Sequence, residues 1–236
     1  MSSPLLASAR AALRRGADPA HAKLLARYFK TGPGEYGEGD VFLGLRVPPI
    51  RRVARECRAL PPEDIERLLA SRFHEERMLA LFVMALQAGK ADEAGRERLY
   101  RLYLANTRRI NNWDLVDCSA PHVVGRHLST RDRGPLYELA ASPSLWERRV
   151  AIIATMWFIR EGDFADTLAI ARRLLADRED LIHKAVGWML REVGKRDLAA
   201  EERFLGEHAP AMPRTMLRYA IERFPEAKRQ RYLKAR

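Results

Sequence analysis

Apolar residues recur at intervals of three and four along most of the chain. Ile65-Leu68-Leu69, Met78-Leu79-Leu81-Phe82-Ala85-Leu86, Leu99-Leu102-Tyr103 and Leu168-Leu174-Leu175 each follow the spacing that lines one face of an α-helix. No run alternates apolar and polar residues as a half-buried strand would. Breakers at Pro61-Pro62, Gly89, Pro121, Gly134-Pro135, Pro143, Gly162, Gly194 and Pro210–Pro213 cut the pattern into helices of ordinary length. The expected class is all-α. Between Lys30 and Asp40 the pattern lapses: five of these eleven residues are Gly or Pro, which predicts a Gly-rich loop at about 31–40. Val41 to Pro48 then returns the chain to the core. Gly32, Gly34 and Gly37 do not form a phosphate loop, because no Lys-Ser/Thr follows and no strand precedes.

The helical pattern contains a repeat. Glu76-Arg77-Met78-Leu79-Ala80-Leu81, Glu147-Arg148-Arg149-Val150-Ala151-Ile152 and His183-Lys184-Ala185-Val186-Gly187 share a basic residue followed by small and apolar ones. Arg77, Trp113, Arg149 and Lys184 are separated by 36, 36 and 35 residues, and Arg214 to Ala220 is a weaker copy. A period near 35 predicts an α-solenoid of HEAT-like helix pairs, spanning residues 1–236 as one domain, curved, with a basic concave face. Equivalent positions then align as ridges, with Arg77, Trp113, Arg149 and Lys184 on the first. One helical turn on come Leu81, Asp117, Ile153 and Trp188. Asp117 places a carboxylate on an otherwise apolar ridge, where it is destabilising unless paired.

Composition narrows the function. Hydrophobic residues make up 47%, too many for a disordered tail. Forty-two Lys and Arg against 31 acids leave a net charge of +11, carried mostly by Arg, which favours bidentate phosphate contacts. Basic clusters at Arg51-Arg52-Arg55, Arg108-Arg109, Arg131/Arg133 and Arg172-Arg173 fall at repeat-like intervals, fitting either one long positive surface or a solvated convex face. Two cysteines without CxxC spacing exclude a disulfide scaffold and a cysteine-rich zinc site. The six histidines show no metal-ligand spacing, and no metal or cofactor is expected. Met1 to Arg15 lacks the apolar core of a signal peptide. The apolar run Val150 to Ile159 is about half the roughly 20 residues of a membrane span, so a cytoplasmic protein, nucleoid-associated when on DNA, is expected.

The candidate chemistry centres on Asn111-Asn112-Trp113-Asp114-Leu115-Val116-Asp117. Trp113 and Asp117 are four residues apart and share a helix face. An aromatic plane beside a carboxylate in a basic protein suits a cationic transition state on a polyanion. Taken singly, Trp113 also fits a core position, and Asp117 also fits an ion pair with Arg126 or Arg149. Trp188 beside Gly187 serves equally as a packing residue.

Three segments, Asn111 to Asp117, Leu145 to Ile152 and His183 to Glu192, together resemble the AlkD family of HEAT-like-repeat DNA glycosylases, which excise alkylated purines. The resemblance extends to Tyr28-Phe29-Lys30 and Phe42-Leu43-Gly44-Leu45. It implies that Asp117 is the catalytic carboxylate, positioning water and stabilising positive charge at C1′. It implies that Trp113 and Trp188 press on the lesion's deoxyribose and backbone. Arg149 matches an Arg that contacts the backbone, with Arg148 as the alternative one residue away, and Tyr28 matches a Tyr near the lesion strand. Lys184 and Arg77, on the basic ridge, are candidate DNA contacts. The implied activity is hydrolysis of the N-glycosidic bond of cationic purines such as 3-methyladenine and 7-methylguanine in duplex DNA, by a monomer. Other branches of the superfamily bind DNA without this activity, so a non-catalytic binder of damaged, bent or branched DNA is the alternative. The Gly32 to Gly39 loop is longer than expected in the best-studied branch.

Overall fold

A computed structural model describes residues 3–234; the outermost two positions at each end of the expected 1–236 repeat domain lie outside the described residues. Among the described residues, all regular structure is helical apart from one isolated bridge between Val41 and Phe73. The chain divides after Val123 into two compact units.

The first unit holds α1 (Pro4–Arg15), α2 (Pro19–Tyr28), α3 (Val47–Glu56), α4 (Pro62–Leu69), α5 (His74–Ala88), α6 (Glu93–Ala105) and α7 (Trp113–Asp117). Side-chain oxygens cap several starts: Asp18 accepts from the amides of Ala20 and His21, and Asp92 from that of Gly95. Proline opens α1, α2 and α4, where its missing N–H leaves no helical bond unmade. Helix α5 is the centre of the unit, with α1, α3, α4, α6 and α7 packed against it. Every residue from His74 to Met84 is buried, so its charged N-terminal turn must find partners inside. Glu75 accepts from the amides of Leu43, Gly44 and Leu45 at 2.8, 2.8 and 3.1 Å, and Glu76 accepts from Arg10 at 2.9 Å. Glu75 thereby fastens the segment that leaves the Gly-rich loop. Gly44 has φ 94°, and a Cβ there would clash with the carbonyl of Asp18. The loop itself has no regular structure from Thr31 to Asp40, as its composition predicts.

Pro121, expected to end a helix, lies in a widened π-type turn, Pro121–Gly125, that runs into α8 (Arg126–Leu128). A proline cannot donate to the carbonyl one turn back, and the wider turn lets the chain pass it without a break.

The second unit continues with α9 (Gly134–Ala140), α10 (Leu145–Ala154), α11 (Met156–Arg160), α12 (Ala165–Arg173), α13 (Asp180–Gly194), α14 (Leu198–His208), α15 (Arg214–Ala220) and α16 (Glu226–Lys234). Helices α9 with α10 and α12 with α13 form neighbouring pairs, while α10 packs on α13 and α13 on α15. The first residues of α10, α13 and α15 keep the period near 35, and their apolar faces (Val150 to Ala154, Val186, Met189-Leu190, Met216-Leu217) are buried against one another. Gly187 lies where α13 meets α15: a Cβ would clash with the Met216 carbonyl and the Tyr219 side chain. The glycine beside Trp188 therefore serves helix packing. Gly194 ends α13 one residue later than a breaker would, and lies against buried Glu201. The architecture is all-α, built from helix pairs in the manner of an α-solenoid. No helix among the described residues is long and apolar enough to cross a membrane.

Candidate functional site

Helix α7 is short because of how it starts. Asn112 is fully buried in extended conformation and its side-chain oxygen accepts from the Trp113 amide at 2.8 Å. This directs the indole of Trp113 against the end of α2. The ring stacks on Phe29, with centroids 5.3 Å apart and planes at 26°, and meets Tyr28 edge-on at 6.1 Å. Phe29 stacks in turn on Phe42 at 5.2 Å, and Phe42 on the His74 ring at 4.7 Å. An aromatic stack thus leads from Tyr28, 65% exposed, through half-buried Trp113 to His74, 2% exposed. Offset-stacked and edge-on pairs of this kind are favourable and rigid.

Behind the stack is a closed polar cluster. His74 Nδ1 lies 3.0 Å from Asp40 Oδ2 and Nε2 lies 2.8 Å from Asp114 Oδ2. Arg77 Nη2 donates to Asp40 Oδ1 at 2.5 Å, and its Nη1 to the carbonyls of Ser71 and Arg72. Asn112 donates to Asp40 at 3.3 Å. Burial alone would depress the histidine pKa. The Asp114 charge and the hydrogen bonds to Asp114 and Asp40 outweigh it and raise the pKa from 6.5 to about 9. Burial likewise opposes ionisation of Asp40, but His74, Arg77 and Asn112 hold its carboxyl below the ordinary range. At neutral pH an imidazolium therefore donates to both aspartates, and two cations balance two anions. The cluster joins the end of the Gly-rich loop, the start of α5 and the start of α7, and so fixes the position of Trp113.

Asp117 is half-buried one turn after Trp113. Beside it, burial and the Asp114 and Asp117 charges push the Cys118 thiol well up, and burial does the same to the Tyr103 phenol, which bonds Ser119 at 3.0 Å. Arg77, expected on an open basic ridge, has a side chain only 5% exposed and is paired with Asp40. The first unit thus gathers Tyr28, Trp113, Asp117 and Arg77.

The second unit carries the other four residues on α10 and α13. Arg148 chelates Asp177 (Nε to Oδ2 2.6 Å) and donates to the carbonyls of Ser142 and Pro143 at 3.0 Å, pinning the loop before α10. Arg149 is buried and donates to the Leu181 carbonyl at the start of α13. Lys184 pairs with Asp180 at 2.8 Å and is 39% exposed. Half-buried Trp188 donates from Nε1 to Glu192 at 3.1 Å.

Asp40, His74 and Asp114 had no assigned role in the sequence. Glu76-Arg77 marks the start of α5, but partners 34 and 40 residues from His74 leave no periodic trace.

A family profile described as DNA alkylation repair enzyme matches residues 9–224. A solved structure described as a predicted DNA alkylation repair enzyme from Enterococcus faecalis shares 17% identity with this chain. It superposes with a TM-score of 0.69 over 89% of this chain and 97% of that one. At this identity the likeness is one of fold. No curated protein matches the sequence.

Proposed function

This chain belongs to the DNA alkylation repair enzyme family, and from that premise we propose that it is a DNA glycosylase hydrolysing the N-glycosidic bond of cationic alkylated purines, such as 3-methyladenine and 7-methylguanine, in duplex DNA. The observation that carries the reading is the aromatic wall of Trp113, backed by Phe29 and edged by exposed Tyr28, one helical turn from Asp117. Asp114, the other carboxylate of α7, is committed to the His74 imidazolium. Asp117, at the position that the family resemblance marks as catalytic and one turn from the indole, is the carboxylate assigned to chemistry.

Alkylation puts a positive charge on the purine, so the base leaves neutral and needs no general acid. One carboxylate then suffices, where ordinary glycoside hydrolysis uses two. As the C1′–N bond breaks, its electron pair goes to the base and the sugar becomes oxocarbenium-like. The Asp117 carboxylate stabilises that charge and orients the water that adds to C1′, whose proton passes to the carboxylate or to solvent. The face of Trp113 adds about 0.5–2 kcal/mol of cation–π attraction. In the second unit, Trp188 and Lys184 are the proposed DNA contacts, while Arg148, bound to Asp177, and buried Arg149, bound to the Leu181 carbonyl, hold α10 in place. The protein is proposed to act as a monomer.

The test is single-turnover release of 7-methylguanine from methylated duplex DNA by wild type and Asp117→Asn. The expected loss is on the order of 10²–10³ in rate with DNA binding retained. Binding without release by the wild type would refute the glycosylase reading.

A further inference from the structure

A recess of 210 Å³ opens beside the His74 cluster, between the Gly-rich loop, the turn before α5 and the turn before α7. Arg72, Arg108 and Arg109 line it, all three exposed, and none has a carboxylate partner among the described residues. Arg77 and Asp40 form part of its wall and cancel each other's charge. The remaining acid on the wall is Glu38, whose carboxylate accepts from the Gly34 amide at 2.8 Å. The recess is therefore positive by about two charges.

Two buried polar atoms on its wall have no partner: Arg77 Nε and Asn111 Oδ1. The arginine is 4% exposed, and its Nε–H is a donor without an acceptor. Guanidinium groups on one side and the unmet Nε–H of Arg77 at the back are the complement of an oxyanion with several acceptor oxygens. The volume equals about seven waters at roughly 30 Å³ each, room for a phosphate group with part of its hydration.

We propose that the Arg72–Arg108–Arg109 recess binds a backbone phosphate of the DNA strand that passes Trp113. Asn111 lies two residues before Trp113, and Asn112 bonds the Asp40 of the recess wall, so a phosphate held there has a fixed position relative to the indole. The phosphate chemistry stands on the recess alone; its source, a DNA strand, rests on the function proposed above.

The experiment is fluorescence anisotropy of an undamaged duplex titrated between 50 and 200 mM salt. It compares wild type, Arg108→Gln/Arg109→Gln and a charge-matched control, Arg98→Gln/Arg101→Gln, on the exposed face of α6. Every phosphate that a variant no longer neutralises lowers the slope of log K against log salt by about 0.9. The slope of the recess variant is expected to fall by about 0.9 relative to the control, with an unchanged thermal midpoint. Equal slopes in the two variants would overturn the proposal. A parallel titration with inorganic phosphate separates the sources: uptake that the recess variant abolishes, with the DNA slope unmoved, would make this a free-phosphate site and likewise overturn the assignment. Failure here, with wild type still binding DNA and releasing 7-methylguanine, leaves the glycosylase reading standing. A wild type that does not bind DNA sinks both.

Discussion

Raising the pH should loosen the joint that holds Trp113, and His74 sets the range. Its pKa is 6.5 when unfolded and about 9 in the folded protein. A raised pKa means the folded state binds the proton more tightly, so the stabilisation is fully present below pH 6.5. It is lost as pH rises through 9. The rise corresponds to about 3 kcal/mol, undiminished by solvent because His74 is 2% exposed. About 2 kcal/mol remains at pH 7.5 and almost none at pH 9.5. Glu201 acts in an overlapping range: burial lifts its pKa from 4.5 to about 8, so the folded state also retains that proton while the unfolded state releases it. Stability therefore falls between pH 4.5 and 8 for this second reason, and the measurement belongs in a Glu201→Gln background. Urea unfolding at pH 6.5, 7.5, 8.5 and 9.5 should show a decline centred between 7 and 9. An NMR titration of the labelled His74 ring, which reads the folded state alone, should give a midpoint near 9. His74→Asn should be less stable at pH 6.5 and lack the decline. A flat profile in the Glu201→Gln protein, or the same decline in His74→Asn, would refute the imidazolium bridge.

Two further expectations are independent of it. Gly187→Ala should cost about 1–3 kcal/mol in urea unfolding, since α13 and α15 must separate to admit the methyl group. Gly206→Ala, at an exposed position of α14 with nothing within 4 Å of the new Cβ, should instead stabilise by about 0.4–1 kcal/mol; matching signs would show the packing argument to be wrong. Trp113→Ala should slow single-turnover release of 7-methylguanine by about 2- to 30-fold, the equivalent of 0.5–2 kcal/mol, with Trp113→Phe between it and wild type. Release by Trp113→Ala at the wild-type rate would leave the indole as packing for Phe29 alone.

The class of fold and its rhythm are legible in consecutive residues. Three/four spacing is a property of one helix face, so α4, α5 and α6 can be read from consecutive residues, as can the Gly-rich loop and the near-35 period that α10, α13 and α15 keep. Trp113 and Asp117 could be placed on one helix for the same reason. Which side chains meet across tens of residues emerges only on folding. Asp40, His74 and Asp114 converge because a loop, the start of one helix and the start of another are brought to one point, and no local pattern encodes such a meeting. Arg77 and Arg149 belong to the same basic motif in sequence, yet both are buried, while Arg72, Arg108 and Arg109 stay exposed around a recess. Charge is legible from composition. Whether a charge is spent on an internal partner or left for a ligand depends on the distance to the nearest opposite charge and on access to water, and both are fixed only when the chain has folded.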